Sequence, residues 1–236
     1  MPFEIPIFPL NVVLFPGMQM PLHIFEPRYQ LMMQRCLNGD DFELEKAFGV
    51  ALIVLGREGE SETMPAPVGC VADITQSAAL ADGRMNLMCV GRRRFAIVGL
   101  REEDEYLIGS VEWLDDERGE AVNAHDDLLE AQRTRGALES YLAAIAQNAG
   151  SLAPDMMQLE IPSSPEDFSM WVAALLPLSP HEKQPLLETT STLQRLQQEY
   201  SLLRRAEIIQ RAYFKREGLL RQLGGSDAAD QFASLN

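Results

Sequence analysis

Pro9-Leu10-Asn11-Val12-Val13-Leu14-Phe15-Pro16-Gly17, followed by Met20-Pro21-Leu22-His23-Ile24-Phe25-Glu26-Pro27-Arg28-Tyr29, is the stretch that decides the fold. It changes from strand to helix within twenty-one residues. Val12–Phe15 is a short apolar run, Pro16-Gly17 turns the chain, and Met18 to Phe25 resumes an extended path. Pro27 suits a first helical position, where a missing N–H needs no partner. Tyr29, Met32, Met33, Cys36 and Leu37 then fall on one helical face. Asn38-Gly39 supplies a left-handed exit. The spacing predicts a short helix docked by its apolar face, since one of this length is not stable alone.

Upstream, Phe3, Ile5 and Ile7 alternate as in a half-buried strand, and the prolines at 2, 6 and 9 predict an edge strand or an irregular ribbon. Downstream, strands are predicted at Phe48–Leu55, Val68–Ser77, Met85–Val90, Phe95–Leu100 and Tyr106–Leu114. Gly56–Glu60 reads as a polar loop and Asp82-Gly83 as a tight hairpin turn. Short strands with turn signals and one early helix predict a small barrel or folded-over sheet.

Residues 116–125 are polar and read as a boundary. From Asp126 the pattern is helical. Leu128, Leu129, Leu138, Tyr141, Leu142 and Ile145 carry the face of a helix ending near Gly150. Ser164 with Asp167 reads as a capping box ahead of Phe168, Trp171, Val172, Leu175 and Leu176. Ser179-Pro180-His181-Glu182 reads as a second box. Pro185 removes an N–H inside that next helix and predicts a kink or restart. A long last helix, roughly 191–216, carries Leu196, Tyr200, Leu203, Ile209 and Tyr213 as its stripe. The expected organisation is a β domain over 1–118, a helical bundle over 119–223 and a flexible tail over 224–236.

The 236 residues carry a formal net charge of −15, and 46% are apolar. That balance fits a packed globular chain. The acidic sign disfavours nucleic acid, whose phosphates it repels. Charge is uneven: residues 193–223 hold seven Lys+Arg against three Asp+Glu, while the preceding 192 residues hold 13 against 30. The last helix is thus a basic rod on an acidic body, suited to self-association. Cys36, Cys70 and Cys89 are odd in number and form no C-x-x-C pair, which argues against a disulfide framework or a zinc site. With no signal-peptide pattern at the N-terminus and no apolar run long enough to span a bilayer, a cytoplasmic location is expected.

No constellation points to catalysis. There is no G-x-x-x-x-G-K-[ST] phosphate loop and no G-x-S-x-G elbow. The three lysines, Lys46, Lys183 and Lys215, offer no desolvated base for a serine, and Lys183 reads as a solvated residue. His23, His125 and His181 share no metal-ligand spacing, so neither metal nor cofactor is expected. His23 reads as a structural hydrogen-bonding side chain. Glu26 reads as an acceptor for free N–H groups of the first helical turn, and Arg28 as a partner for a carboxylate elsewhere. Gly91-Arg92-Arg93-Arg94-Phe95 reads as surface arginines paired with acids, with Arg92 and Arg94 on one face and Arg93 on the other. Eleven methionines are many. Most suit a core, while Met18 and Met20, with Phe15, flank the Pro-Gly turn and are the candidates for an exposed apolar surface.

The opening stretch resembles the signature of the N-terminal substrate-binding domain of ATP-dependent Lon proteases (protease La). Phe48-Gly49-Val50, Val68-Gly69-Cys70-Val71-Ala72, Asp82-Gly83-Arg84 and Gly91 with Arg94-Phe95 agree with it in order. So do Leu176-Pro177-Leu178, Glu182-Lys183-Gln184 and Leu186-Leu187-Glu188. The resemblance implies an α+β fold: a PUA-like β pseudo-barrel with one early helix, then a helical bundle with a long last helix. His23, Glu26, Pro27, Arg28, Tyr29, Gly91 and Arg94 belong to the motif and are expected to be structural. In Lon proteases this domain engages substrates, while other domains carry the ATPase and proteolytic work; this chain ends where those would begin. The resemblance therefore implies a non-catalytic binder of polypeptides, an adaptor or holdase-like factor. PUA-like folds also bind RNA, which makes Arg92–Arg94 and the basic last helix the alternative contact surface.

Overall fold

The structure is a computed structural model that describes residues 1–39, 42–56, 63–117, 121–149 and 160–224. The predicted tail after 224 and most of the Gly56–Glu60 loop lie outside the described residues. The elements run β1 (Phe3–Leu10), β2 (Gln19–Ile24), α1 (Pro27–Asn38), β3 (Ala47–Leu55), β4 (Met64–Ala79), β5 (Met85–Glu103), β6 (Tyr106–Trp113), α2 (Ala121–Ala149), α3 (Pro165–Leu175), α4 (Pro180–Glu188) and α5 (Thr192–Gly224).

The strands form one sheet in the order β2-β5-β4-β3-β1-β6, and a further β5–β6 pairing closes it into a barrel. β1 and β3 are parallel, and the other neighbours are antiparallel. Closure depends on one long strand. The Met85–Val90 part of β5 pairs with β2, and its Phe95–Glu103 part pairs with β6. The two strands expected at Met85–Val90 and Phe95–Leu100 are thus one strand. Its turn to β6 places Asp104 and Glu105 both at positive φ, the backbone of a primed two-residue hairpin.

β1 is not an edge strand, contrary to its prolines. Residues 3–7 pair with β6 and residues 7–10 with β3, so Pro6 and Pro9 each have a ladder partner on one side only. The missing N–H groups are tolerated because the two ladders barely overlap.

α1 begins at Pro27 and ends at Gly39, whose φ of 76° is left-handed. It buries Tyr29, Met32, Met33 and Cys36 against Phe8, Phe48, Met85 and Leu87. Each such side chain contributes about 1.5–3 kcal/mol before entropy costs, enough to hold a helix of this length in place. A second cluster, including Ile5, Ile7, Phe95 and Val111, fills the barrel. A third joins the barrel to the helices: Val13, Phe15, Leu52 and Val68 pack with Phe168, Val172, Leu187, Leu196 and Leu203.

The Ser179–Glu182 capping box forms, whereas Ser164 is a side-chain N-cap whose hydroxyl also donates to the Asp167 carboxylate. Ser164 Oγ accepts from the Asp167 N–H at 3.1 Å, and the Ser179 N–H donates to Glu182 at 2.9 Å. Pro185 neither breaks nor restarts α4, which runs through to Glu188. Pro185 lies on the exposed side, and the helix is only nine residues long, so one lost bond leaves it intact. Several predicted stripe residues face solvent instead: Leu128, Leu129, Leu175, Ile209 and Tyr213 are exposed. In α5 the buried face holds Thr192, Arg195, Glu199 and Glu207 beside Leu196 and Leu203. No helix among the described residues is long and apolar enough to cross a membrane.

Candidate polypeptide-binding surface

β2, the first half of β5 and the last part of β4 form a three-stranded flap beyond the closed barrel. Leu22, Leu87 and Ser77 stand in register across it, as do His23, Asn86 and Ala78. Strand alternation separates two faces. Met20, Ile24, Met85, Leu87 and Cys89 point into the cluster under α1. Pro21, His23, Asn86, Met88, Gln76 and Ala78 face outward and line a groove of about 460 Å³. No residue lining it is a carboxylate, lysine or arginine. His23 Nδ1 is 2.7 Å from Asn86 Oδ1, and its ring stacks on exposed Phe25 with centroids 6.3 Å apart.

Phe15, Met18 and Met20 do not form the exposed surface expected of them. Phe15 is 0% exposed and Met20 5%, while Met18 is half-buried against two clusters. The cause is local. The Gly17 N–H donates to the Gly91 carbonyl at 2.7 Å, and the Gly91 N–H donates to the Met18 carbonyl at 2.9 Å, clamping the turn onto β5. A Cβ at Gly91 would overlap the Phe15 carbonyl, so only glycine permits the approach. Strand alternation turns Met20 inward and its neighbours Pro21 and His23 outward.

Glu26 makes no side-chain cap. It accepts instead from Arg28 Nε and Nη2 at 3.1 and 3.0 Å, so the two residues bracketing Pro27 pair with each other, and Arg28 Nη1 donates to the Glu105 carbonyl at 3.4 Å. Arg28 also lies over the Tyr29 ring at 4.6 Å. His125 and His181 are exposed. Lys183 is half-buried, not solvated. Its Nζ donates to the Ala174 carbonyl at 2.6 Å, and burial lowers its pKa. Burial pushes the Cys70 and Cys89 thiols up to about 12, so neither is a nucleophile near neutral pH.

The arginine run does not alternate as expected. Cys70 pairs with Arg94 but Ala72 with Gly91, a bulge that inserts one residue into β5. Arg92 and Arg93 therefore both reach the surface, where they meet Asp73 at 3.7 Å and Asp115 at 2.6 Å. Arg94 turns inward to a buried charge cluster. It contacts Asp116 and donates to the carbonyls of Leu187 and Thr189 at 2.6 and 2.8 Å. Arg195, 0% exposed, reaches the same carboxylate, the Thr189 carbonyl at 2.7 Å and Ser169 Oγ at 2.8 Å. Thr192 Oγ1 donates to Asp116 at 2.5 Å. Asp116 lies just beyond β6, so this seam ties the barrel to α3, α4 and α5. Burial lowers the Arg94 pKa against the pull of Asp116.

One helical turn from Arg195, the Glu199 carboxyl is buried with no hydrogen-bond partner among the described residues. Burial holds its pKa well above the usual carboxylate range, opposed by Arg195. Within the seam, Arg94 carries a sequence signal through the family motif. Asp116 sits in a polar stretch that reads as a linker. Arg195 and Glu199 were legible as an i, i+4 pair on the face of Leu196 and Leu203.

Residues 4–205 match the family of ATP-dependent protease La (LON) substrate-binding domains. The Lon protease 1 of Hydrogenovibrio crunogenus is 23% identical over 192 residues, 79% of this chain and 22% of that protein. The Lon protease of Methylocella silvestris is 27% identical over 203 residues, 84% of this chain and 23% of that protein. The chain thus spans under a quarter of the length of these relatives. The crystal structure of a Lon N-terminal domain protein from Xanthomonas campestris is similar at a TM-score of 0.56 and 27% identity, over 83% of this chain and 95% of that one. The N-terminal domain of a Mycobacterium avium complex Lon protease shares the fold at a TM-score of 0.59 and 17% identity, over 85% and 97% of the two chains.

Proposed function

We infer that this chain, which belongs to the family of ATP-dependent protease La (LON) substrate-binding domains, is a non-catalytic polypeptide-binding module. The observation that carries the reading is the groove on the flap. It offers an exposed, uncharged, largely apolar surface to segments that a folded client would hide. It holds as an adaptor or holdase: it engages exposed segments and leaves their covalent structure alone. The disposition of Lys183, donating to a backbone carbonyl, supports the absence of a serine–lysine dyad. The pairing of Arg92, Arg93 and Arg94 with carboxylates favours this reading over a phosphate-contact surface on the arginine run.

The test is binding to reduced, carboxymethylated α-lactalbumin, a permanently unfolded chain, set against the native protein. The reading expects complex with the unfolded form alone. Incubation with casein, ATP and magnesium is expected to give no cleavage. Equal affinity for native α-lactalbumin, or robust proteolysis, contradicts it.

A further inference from the structure

We propose that an extended, uncharged polypeptide segment binds by adding as a strand to the free edge of β4 at Gln76–Ala79, with alternate side chains resting along the groove. The proposal rests on the polypeptide-binding reading and locates it. β3 accompanies β4 only as far as Asp73, opposite Ala47, after which the Ile74 N–H donates to the Lys46 carbonyl at 2.7 Å. Beyond that point β4 pairs with β5 alone: Gln76, Ser77, Ala78 and Ala79 lie opposite Met88, Leu87, Asn86 and Met85 in unbroken register. A bulge between Ile74 and Gln76 marks where the edge begins. Every residue from Thr75 to Ala79 is exposed, while β5 beside them alternates. Among the described residues no strand takes the other side of this segment.

A strand edge presents a ladder of backbone N–H and C=O groups, which only another extended chain satisfies in register. Edges are ordinarily blunted by proline or by charge. The flap's other edge, β2, carries Pro21. The β4 edge carries neither proline nor charge between Thr75 and Ala79. The four regular residues span about 13 Å at the rise of a strand. They offer bonds to a short segment, not to a whole sheet.

The chemistry of the site selects its occupant. Neither the edge nor the groove holds a carboxylate, lysine or arginine to pair with a charged guest, and the chain's net charge of −15 repels acidic ones. Ser77, Ala78 and Ala79 are small, leaving room across the ladder for β-branched or aromatic residues. The fitting partner is therefore a neutral, β-prone segment, the kind an unfolded chain exposes and a folded one buries.

The experiment uses a fluorescein-labelled peptide of alternating Thr and Val, followed by anisotropy with the full chain. Two analogues are N-methylated on alternate residues, one on the Thr positions and one on the Val positions. Side chains are unchanged, but each analogue blocks one edge of the peptide. The expected result is binding of the parent peptide and an affinity loss of about tenfold or more for one analogue, as removal of about two ladder bonds implies. The other analogue keeps its affinity. Gln76→Lys and Ala78→Lys, at exposed positions, are expected to weaken the parent peptide similarly while melting as wild type does. The proposal fails if both analogues bind as the parent does, or if both lysine variants bind as wild type does. It also fails if sedimentation shows a dimer that Ala78→Lys dissociates, since a second copy then occupies the edge. Lysine variants that keep full affinity for carboxymethylated α-lactalbumin overturn the edge site and leave the polypeptide-binding reading standing. A wild-type chain that binds neither probe overturns both.

Discussion

The seam between barrel and helices and the flap beyond the barrel handle polar groups in opposite ways. The seam draws two guanidiniums and one carboxylate out of water and surrounds them with fixed acceptors: the Leu187 and Thr189 carbonyls and the Ser169 hydroxyl. The flap leaves backbone donors and acceptors at the surface with no charge beside them. Buried charges of this kind add little net stability, but they penalise any arrangement that separates them. The seam therefore reads as a device that fixes where the helices sit. The flap reads as a place left open for something to sit down.

The largest effect expected is at the centre of the seam. Asp116→Ala leaves two buried guanidiniums facing each other and should cost about 3–5 kcal/mol in urea denaturation, the usual consequence of halving a buried pair. Replacing Arg94, Asp116 and Arg195 together by Met, Leu and Met should recover most of that loss. If the triple variant is as unstable as Asp116→Ala, the seam contributes more than mutual neutralisation. Next comes the clamp that separates flap from core. Gly91→Ala forces a methyl against the Phe15 carbonyl and should cost about 1–3 kcal/mol by the same measurement.

The local elements were legible in the sequence and the contrast between seam and flap was not, for physical reasons. Pro27 and Gly39 bound α1 because both act through local backbone geometry. The N-cap at Ser164 and the capping box at Ser179 form for the same reason. Pro6 and Pro9 misled because whether a proline lies at an edge depends on which strands arrive on each side, a non-local matter. The arginine run misled because a single-residue bulge reverses alternation, and nothing in Gly91–Phe95 announces one. Phe15, Met18 and Met20, expected at an exposed surface, lie buried or half-buried. Phe15 and Met20 look like exposed apolar residues only until Gly91 brings β5 against them. The free edge of β4 had no sequence signal, since an edge is defined by a neighbour that stops.

A smaller and pH-dependent effect sharpens the seam. Burial raises the folded-state pKa of Glu199 above its unfolded value. The folded protein thus favours the proton. The stability tied to this group is intact below the unfolded pKa of about 4.3 and lost as pH rises through the folded pKa. Glu199→Gln removes the cost of ionising this buried carboxyl and should therefore stabilise the chain at pH 8 relative to its effect at pH 4, where wild type already carries the proton. Thermal melts at the two pH values distinguish this from a uniform gain, which would show that the charge is not the issue. The smallest stability change belongs to the flap. Gln76→Lys lies at an exposed position and should alter unfolding free energy by no more than about 0.5 kcal/mol.

Hydrogen exchange of the full chain, with and without carboxymethylated α-lactalbumin, tests the central claim most directly. Slowed exchange confined to the flap, strongest at Thr75–Ala79 and absent from Leu187–Arg195, is the predicted result. Protection confined to the exposed Ile208–Tyr213 face of α5, or found nowhere, would contradict it.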